Sequence, residues 1–165
     1  MKKILKKILL ALAILLVLCQ FYPRAKNNVK GSETKNISTV HQVPVDVQSL
    51  LKTSCYDCHS NNTVYPWYYN IQPLAWWLDD HIVEGKKELN FSDFAGYNLA
   101  KQYRKLEEIE ELVAENEMPL KSYTLVHTDA KLNDQQKLII TNWSKTLQAD
   151  MKAKYPADSL IRKKK

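Results

Sequence analysis

Cys55-Tyr56-Asp57-Cys58-His59 is the stretch around which the rest of this 165-residue chain can be interpreted. Two cysteines separated by two residues and followed at once by a histidine form the attachment pattern of a c-type haem. On a helix, positions i, i+3 and i+4 share one face, so both thiols and the imidazole would meet the same side of a flat macrocycle. The pattern predicts thioether bonds from Cys55 and Cys58 to one haem, with His59 as the proximal ligand of its iron.

Other chemistries use paired cysteines as well. They form plain disulfides or stay as buried thiols, and in thioredoxin-like proteins they form a redox pair that normally lies in a βαβ unit, which this sequence does not show. A zinc site normally has a second pair of ligands, and the adjacency of Cys58 and His59 is awkward for one tetrahedral ion. The histidine at the end of the motif favours haem over these alternatives.

A low-spin haem iron needs a sixth ligand, for which the sequence offers several candidates. Met118 follows a predicted helix in the segment Glu-Met-Pro-Leu, where a loop could bring its thioether to the distal face. Met151 continues an apolar stripe and is expected in the core. His81 and His127 compete with Met118, and an open or water-ligated position is the remaining alternative. Methionine would raise the reduction potential relative to a second histidine.

The surroundings of the motif are rich in aromatic residues, which could wall the haem or simply pack helices together: Tyr56, Tyr65, Trp67, Tyr68, Tyr69, Trp76 and Trp77. A metal-bound imidazole usually donates its second ring N–H to a fixed acceptor. We expect a backbone carbonyl near Pro66 or Pro73 to take that role for His59.

Apolar periodicity predicts an all-α domain, in keeping with only 3 glycines in the chain. Together with the haem motif, this indicates a small, cytochrome c-like helical domain. Asn98 and Asn133 are predicted helix caps, and Pro119 is expected to stop the helix before it. The predicted helices run from about 45 into the motif, over 74–88, from the Asn98 cap to 117, and from the Asn133 cap to near Pro156.

The N-terminal residues 1–22 predict a membrane anchor or signal. Four lysines precede the apolar run Ile8–Cys19, and Phe21-Tyr22 could lie among headgroups. An uncleaved single-pass helix is favoured, with lipidation at Cys19 or cleavage as alternatives. Each alternative places the haem domain on the periplasmic side of the cytoplasmic membrane.

The remaining divisions follow from composition. Residues 23–44 are polar and without periodicity, which is typical of a flexible tether. Residues 45–155 form the predicted haem-binding domain, and 156–165 a basic tail. The net charge of +6 comes mostly from lysines and arginines at the two ends, and no basic helix in the body suggests a nucleic-acid partner.

Several blocks, the first of which contains the motif, match a known pattern: residues 55–63, Tyr-Pro-Trp-Tyr at 65–68, Ile-Gln-Pro at 71–73, 76–82, 89–92, 117–123 and 125–132. With these blocks the chain resembles the small bacterial haem-binding domain family, which belongs with class I-like c-type cytochromes. The resemblance implies a membrane-tethered haem module, joined in some other proteins to cytochrome c or di-haem peroxidase domains. It carries over to Cys55, Cys58, His59 and Met118.

The functional expectation is a membrane-anchored mono-haem c-type cytochrome that transfers single electrons. Its expected partners are redox proteins at the membrane, such as a cytochrome c peroxidase or respiratory enzymes. No substrate pocket or acid–base pair is visible in the sequence, so an enzyme is not expected. The alternative function is a haem-based sensor, or a peroxidase-associated haem module, with an open or labile sixth ligand.

Overall fold

The computed structural model describes residues 1–23, 26–28 and 33–161. Over these residues the chain is helical and contains no strand, as the all-α prediction requires. The α-helices are α1 (Lys2–Gln20), α2 (Val45–Ser54), α3 (Tyr56–His59), α4 (Leu74–Glu88), α5 (Leu99–Ala114), α6 (Lys121–Thr124) and α7 (Asp134–Lys154). Short 3-10 helices lie at Glu33–Lys35, Ile37–Thr39, Trp67–Asn70, Phe91–Gly96, Thr128–Ala130 and Ala157–Ser159.

The N-terminal helix does not meet the requirements of a membrane span. In the described parts of the chain, no helix is both long enough and apolar enough to cross a bilayer. Lysines occupy the first two turns of α1, and the uncharged residues 8–20 that follow cover only about 20 Å, against the ~30 Å of a hydrocarbon core. The predicted single-pass anchor over residues 1–22 is therefore wrong, and so is the membrane localisation that depended on it.

The first predicted helix is interrupted at the motif. Cys55 has φ −127° and ψ −40°, outside the helical region, and separates α2 from α3. The helical turn that the motif needs is still present, because the amides of Cys58 and His59 both donate to the carbonyl of Cys55, at 3.2 and 2.9 Å. The break gives the motif a turn of its own beside α2.

Both predicted asparagine caps are confirmed. The Asn98 side chain accepts from the amide of Lys101 at 2.8 Å, and Asn133 accepts from that of Gln136 at 2.8 Å. The Gln136 side chain accepts in return from the Asn133 amide at 2.9 Å, which completes a capping box.

The helix α5 ends three residues before the predicted boundary at Glu117. Asn116 adopts a left-handed φ of 62°, which asparagine tolerates better than most residues. The amide of Glu117 then donates to the carbonyl of Leu112 at 2.9 Å, and that of Asn116 to Val113 at 3.3 Å, the two bonds of a Schellman motif. This turn ends α5 ahead of Pro119 and leads directly into Met118, whose own amide bonds to Leu112 at 3.0 Å.

The interior is divided into two clusters of buried apolar side chains. The main core fills the space between α5, α7 and α2, and it includes Leu51, Leu106 and Ile140, all with no exposed surface. Met151 belongs to it, as expected. In a smaller cluster, Ala75, Leu78 and Ile82 of α4 pack with Tyr68 and Tyr69. Cys55 packs against the first cluster and Cys58 against the second, so the motif lies where they meet.

The segment assigned to the tether contacts the domain where it is described. Ile37 has no exposed surface and packs in the main core. The side-chain amide of Asn28 donates to the carbonyl of Thr63 at 3.1 Å, and the amide of Asn27 to the Tyr65 hydroxyl at 2.5 Å. Packing therefore begins ahead of Val45. The basic run at 162–165 and residues 24, 25 and 29–32 lie outside the described residues.

Candidate cofactor site

The two cysteines of the motif are partly buried thiols without a disulfide. Burial raises the pKa of Cys55 to about 12 and that of Cys58 to about 11. Both groups are therefore protonated at neutral pH, whereas thiols that act as redox nucleophiles have lowered pKa values. This electrostatic environment does not favour the thioredoxin-like alternative. The described residues also contain no cluster of three or more His, Cys, Asp or Glu side chains that could hold a metal ion.

His59 is held in one orientation and one tautomer. Its Nδ1 lies 2.9 Å from the carbonyl oxygen of Leu89. A carbonyl can only accept, so Nδ1 carries the proton and Nε2 keeps its lone pair. Burial lowers the pKa of His59, opposed in part by the backbone carbonyls of Leu89 and Gly85. The neutral imidazole with a free Nε2 is the form that binds iron, and the hydrogen bond to a carbonyl is the usual support of such a ligand.

Two cavities adjoin the motif. The first, called here the cysteine cavity, has about 170 Å³ and is lined by Cys55, Cys58, His59, Gly85 and Tyr123, among others. The second, called the core cavity, has about 190 Å³ and is lined by Cys55, His59 and apolar residues of the main core. Each is smaller than an ordinary ligand pocket of roughly 300–1,000 Å³. They share the lining residues Ser54, Cys55, His59, Glu88, Met118 and Pro119, so we describe them together as one crevice.

The structure separates the three candidates for the sixth ligand. Met118 lines both cavities together with His59. His81 lines the cysteine cavity, and its Nδ1 lies 2.7 Å from the carbonyl of Trp77 on its own helix. His127 lines neither cavity: its Nε2 bonds to the Tyr68 hydroxyl at 2.8 Å, and its ring stacks on Tyr123 with centroids 4.2 Å apart. Met118 and His81 thus remain in reach of the crevice, whereas His127 is engaged elsewhere.

These donors fit a covalently bound haem. Two thiols, one neutral imidazole and one thioether line the same crevice, whose remaining walls are largely apolar. Thiols suit attachment to vinyl groups, imidazole and thioether are the axial ligands of cytochromes c, and apolar walls suit a porphyrin. The fit rests on the chemistry of the donor set and on its placement in one crevice.

Gly85 is a site residue that sequence reasoning missed. A Cβ built on Gly85 would lie 2.8 Å from the carbonyl oxygen of Cys58 and 3.0 Å from the Cys58 Cβ. The absence of a side chain therefore allows α4 to approach the motif closely enough to line the cysteine cavity. An isolated glycine within a helical pattern is the signal that could have identified a close approach.

Asp57 and Tyr123 form a second unforeseen contact. The Tyr123 hydroxyl donates to Oδ2 of Asp57 at 2.7 Å, and the amide of Val64 donates to Oδ1 at 2.9 Å. Burial, together with this carboxylate, raises the pKa of Tyr123 above its usual range, so the hydroxyl keeps its proton. Because Asp57 lies between the two cysteines, this pair ties the motif to α6 and to the loop that follows α3.

The predicted aromatic wall has a different composition. Of the described residues, those that line the crevice include Tyr123 and Phe91 but none of the seven aromatic residues named from the sequence. Tyr68 and Tyr69 are buried in the smaller cluster instead, and Trp67 is 74% exposed. Tyr68 and Tyr69 therefore pack in the interior, which is the second of the two roles expected for these aromatic residues.

The sequence matches the model of one known protein family, the haem-binding domain, over residues 14–146. The match covers the motif, both cavities and Met118, and it extends into the C-terminal half of α1. No curated protein and no solved structure shows significant similarity to the chain. The match supports haem as the cofactor of the chain.

Proposed function

Because the chain belongs to the haem-binding domain family, we propose that it carries one c-type haem and transfers single electrons. The observation that carries the proposal is the state of His59: its Nδ1–H is bonded to Leu89, which leaves Nε2 for iron inside a crevice that both cysteines line. Haem supplies a one-electron Fe(III)/Fe(II) couple when it is bound in such a site. The protein residues hold it, orient it and exclude water.

Cys55 and Cys58 are proposed to hold the haem as thioethers. Each thiol adds across one vinyl group: a carbon–sulfur bond forms, and the thiol hydrogen moves to the other vinyl carbon. No oxidant is consumed, because the addition transfers no electrons overall. The placement of both side chains supports this assignment, because Cys55 and Cys58 line the same cavity as His59 and are free cysteines.

Met118 is the proposed sixth ligand, and a closed iron coordination sphere favours an electron carrier over an enzyme. Support comes from its place in both cavities beside His59, at the end of the Schellman turn that terminates α5. A carrier needs a redox partner protein, and a cytochrome c peroxidase or a respiratory enzyme would have the required chemistry. A haem-based sensor is the rival function.

The Met118→Ala variant tests this assignment. We expect the methionine-to-iron charge-transfer band of the ferric protein to disappear. The reduction potential should fall by on the order of 0.1–0.3 V, within the ~0.8 V range that axial ligands control. Absorption spectroscopy and a redox titration of purified holoprotein measure both effects, with Met151→Leu as the matched control because Met151 lies in the core.

Other outcomes would contradict the assignment. If His81→Ala, rather than Met118→Ala, changes the spectrum, the sixth ligand is an imidazole. A wild-type protein with a high-spin spectrum that responds readily to carbon monoxide would refute the carrier and support the sensor.

A further inference from the structure

Lys105 is an almost fully buried cation in the wall of the crevice. Its side chain is 3% exposed, and it lines the core cavity from α5. Its ammonium donates to Oε2 of Glu88 at 3.1 Å and to Oε2 of Glu108 at 2.5 Å. Among the described residues that line the two cavities, no other lysine or arginine is present. A buried ammonium is costly unless all its hydrogen bonds are made.

The ammonium of Lys105 has one hydrogen bond left to make. A lysine has three N–H donors, and two of them are used by Glu88 and Glu108. In the described part of the chain, no acceptor for the third is found. Water reaches this group poorly because of its burial, so the third donor requires an acceptor that enters the crevice.

Both glutamates can have their charge stabilised without Lys105, by water or by another cation. The Glu88 side chain is 59% exposed and can be solvated. Glu108 is also paired with Nε of Arg104 at 3.3 Å. A third carboxylate could therefore bind the ammonium, because Glu88 can turn to water and Glu108 can keep its ion pair with Arg104.

The position of Lys105 in the crevice indicates which part of a haem it meets. Cys58 lines only the cysteine cavity and Lys105 only the core cavity, with Cys55 and His59 shared between them. Haem carries its two vinyl groups on one half of the ring and its two propionates on the other. The propionates are the negatively charged groups at the edge of the ring, and Lys105 is the one lysine or arginine among the described residues that line either cavity, so a propionate is the part of a haem that it would meet.

We infer that Lys105 binds a haem propionate, through the ammonium hydrogen that Glu88 and Glu108 leave unused. This inference rests on haem binding but not on the thioether bonds, because a propionate is recognised in the same way whether or not the vinyl groups have reacted. Lys105 is then the charged group that selects the orientation of the haem in the crevice.

The test compares haem with its dimethyl ester, in which both propionate charges are removed. Full-length protein without attached haem is titrated with each ferric compound, and binding is followed by the Soret band. We expect wild type to prefer haem over the ester by about tenfold or more, because a charge-assisted hydrogen bond is lost with the ester. Lys105→Met should reduce this preference to about one, whereas Lys105→Arg should retain it.

Glu88→Gln is the matched control, since it removes a competing carboxylate and should preserve or increase the preference for haem. If Lys105→Met loses affinity for haem and for the ester to the same extent, Lys105 only supports the fold, and the inference is overturned. Equal binding of the two compounds by wild type would overturn it as well. Failure of wild type to bind either compound would instead contradict the proposed function.

Discussion

The His59→Ala variant is expected to lose the six-coordinate, low-spin spectrum of the holoprotein. In wild type the Leu89 carbonyl fixes the imidazole with Nε2 free, and His59 is the only histidine among the described residues that lines both cavities. The ferric variant should become predominantly high-spin, and its ferrous form should bind carbon monoxide. Imidazole added to the solution should restore the low-spin spectrum, because the deleted side chain leaves a space of its own size.

The control for this experiment is His127→Ala, which removes an imidazole engaged with Tyr68 and Tyr123 outside the crevice. Its spectrum should be that of wild type. A low-spin spectrum retained in His59→Ala but lost in His127→Ala would show that the proximal ligand is assigned to the wrong residue.

Gly85→Ala is expected to weaken both the fold and the attachment of haem. The new methyl group would lie 2.8 Å from the backbone oxygen of Cys58, an atom that cannot move without the motif. Overpacking of this kind costs about 1–3 kcal/mol, partly offset by the ~1 kcal/mol that alanine gains over glycine in a helix. We expect net destabilisation in urea unfolding followed by circular dichroism, and a lower ratio of attached haem to protein.

Gly96→Ala is the matched control, since its methyl group would meet a side chain rather than backbone. The contact is Oδ1 of Asp93 at 3.0 Å, and that side chain is 48% exposed and can turn away. We expect a change within about 0.5 kcal/mol. Equal stability and haem content for Gly85→Ala and wild type would mean that α4 does not constrain the motif.

The parts of the site that could be predicted from the sequence are those determined by local spacing. The turn of Cys55, Cys58 and His59 depends on residues three and four positions apart, and the caps at Asn98 and Asn133 on the next three residues. Such contacts are specified by the residue types themselves. The all-α class follows from periodicity for the same reason.

The remaining features depend on residues distant in sequence. The acceptor for His59 is Leu89, thirty positions away, and not a carbonyl near Pro66 or Pro73 as expected. Gly85 joins the crevice because α4 packs against α3, and Lys105 lines it from α5, more than forty residues after the motif. The prediction of a membrane span over residues 1–22 is wrong for a local reason, because lysines occupy the first two turns of α1 and the apolar run after them is too short.

The mass of the denatured full-length holoprotein tests most directly the claim that Cys55 and Cys58 carry one covalent haem. The account predicts the mass of the polypeptide plus that of one haem, and the mass of the polypeptide alone for the Cys55→Ser, Cys58→Ser double variant. Wild-type protein that shows the mass of the bare polypeptide, with its haem released on denaturation, would contradict it.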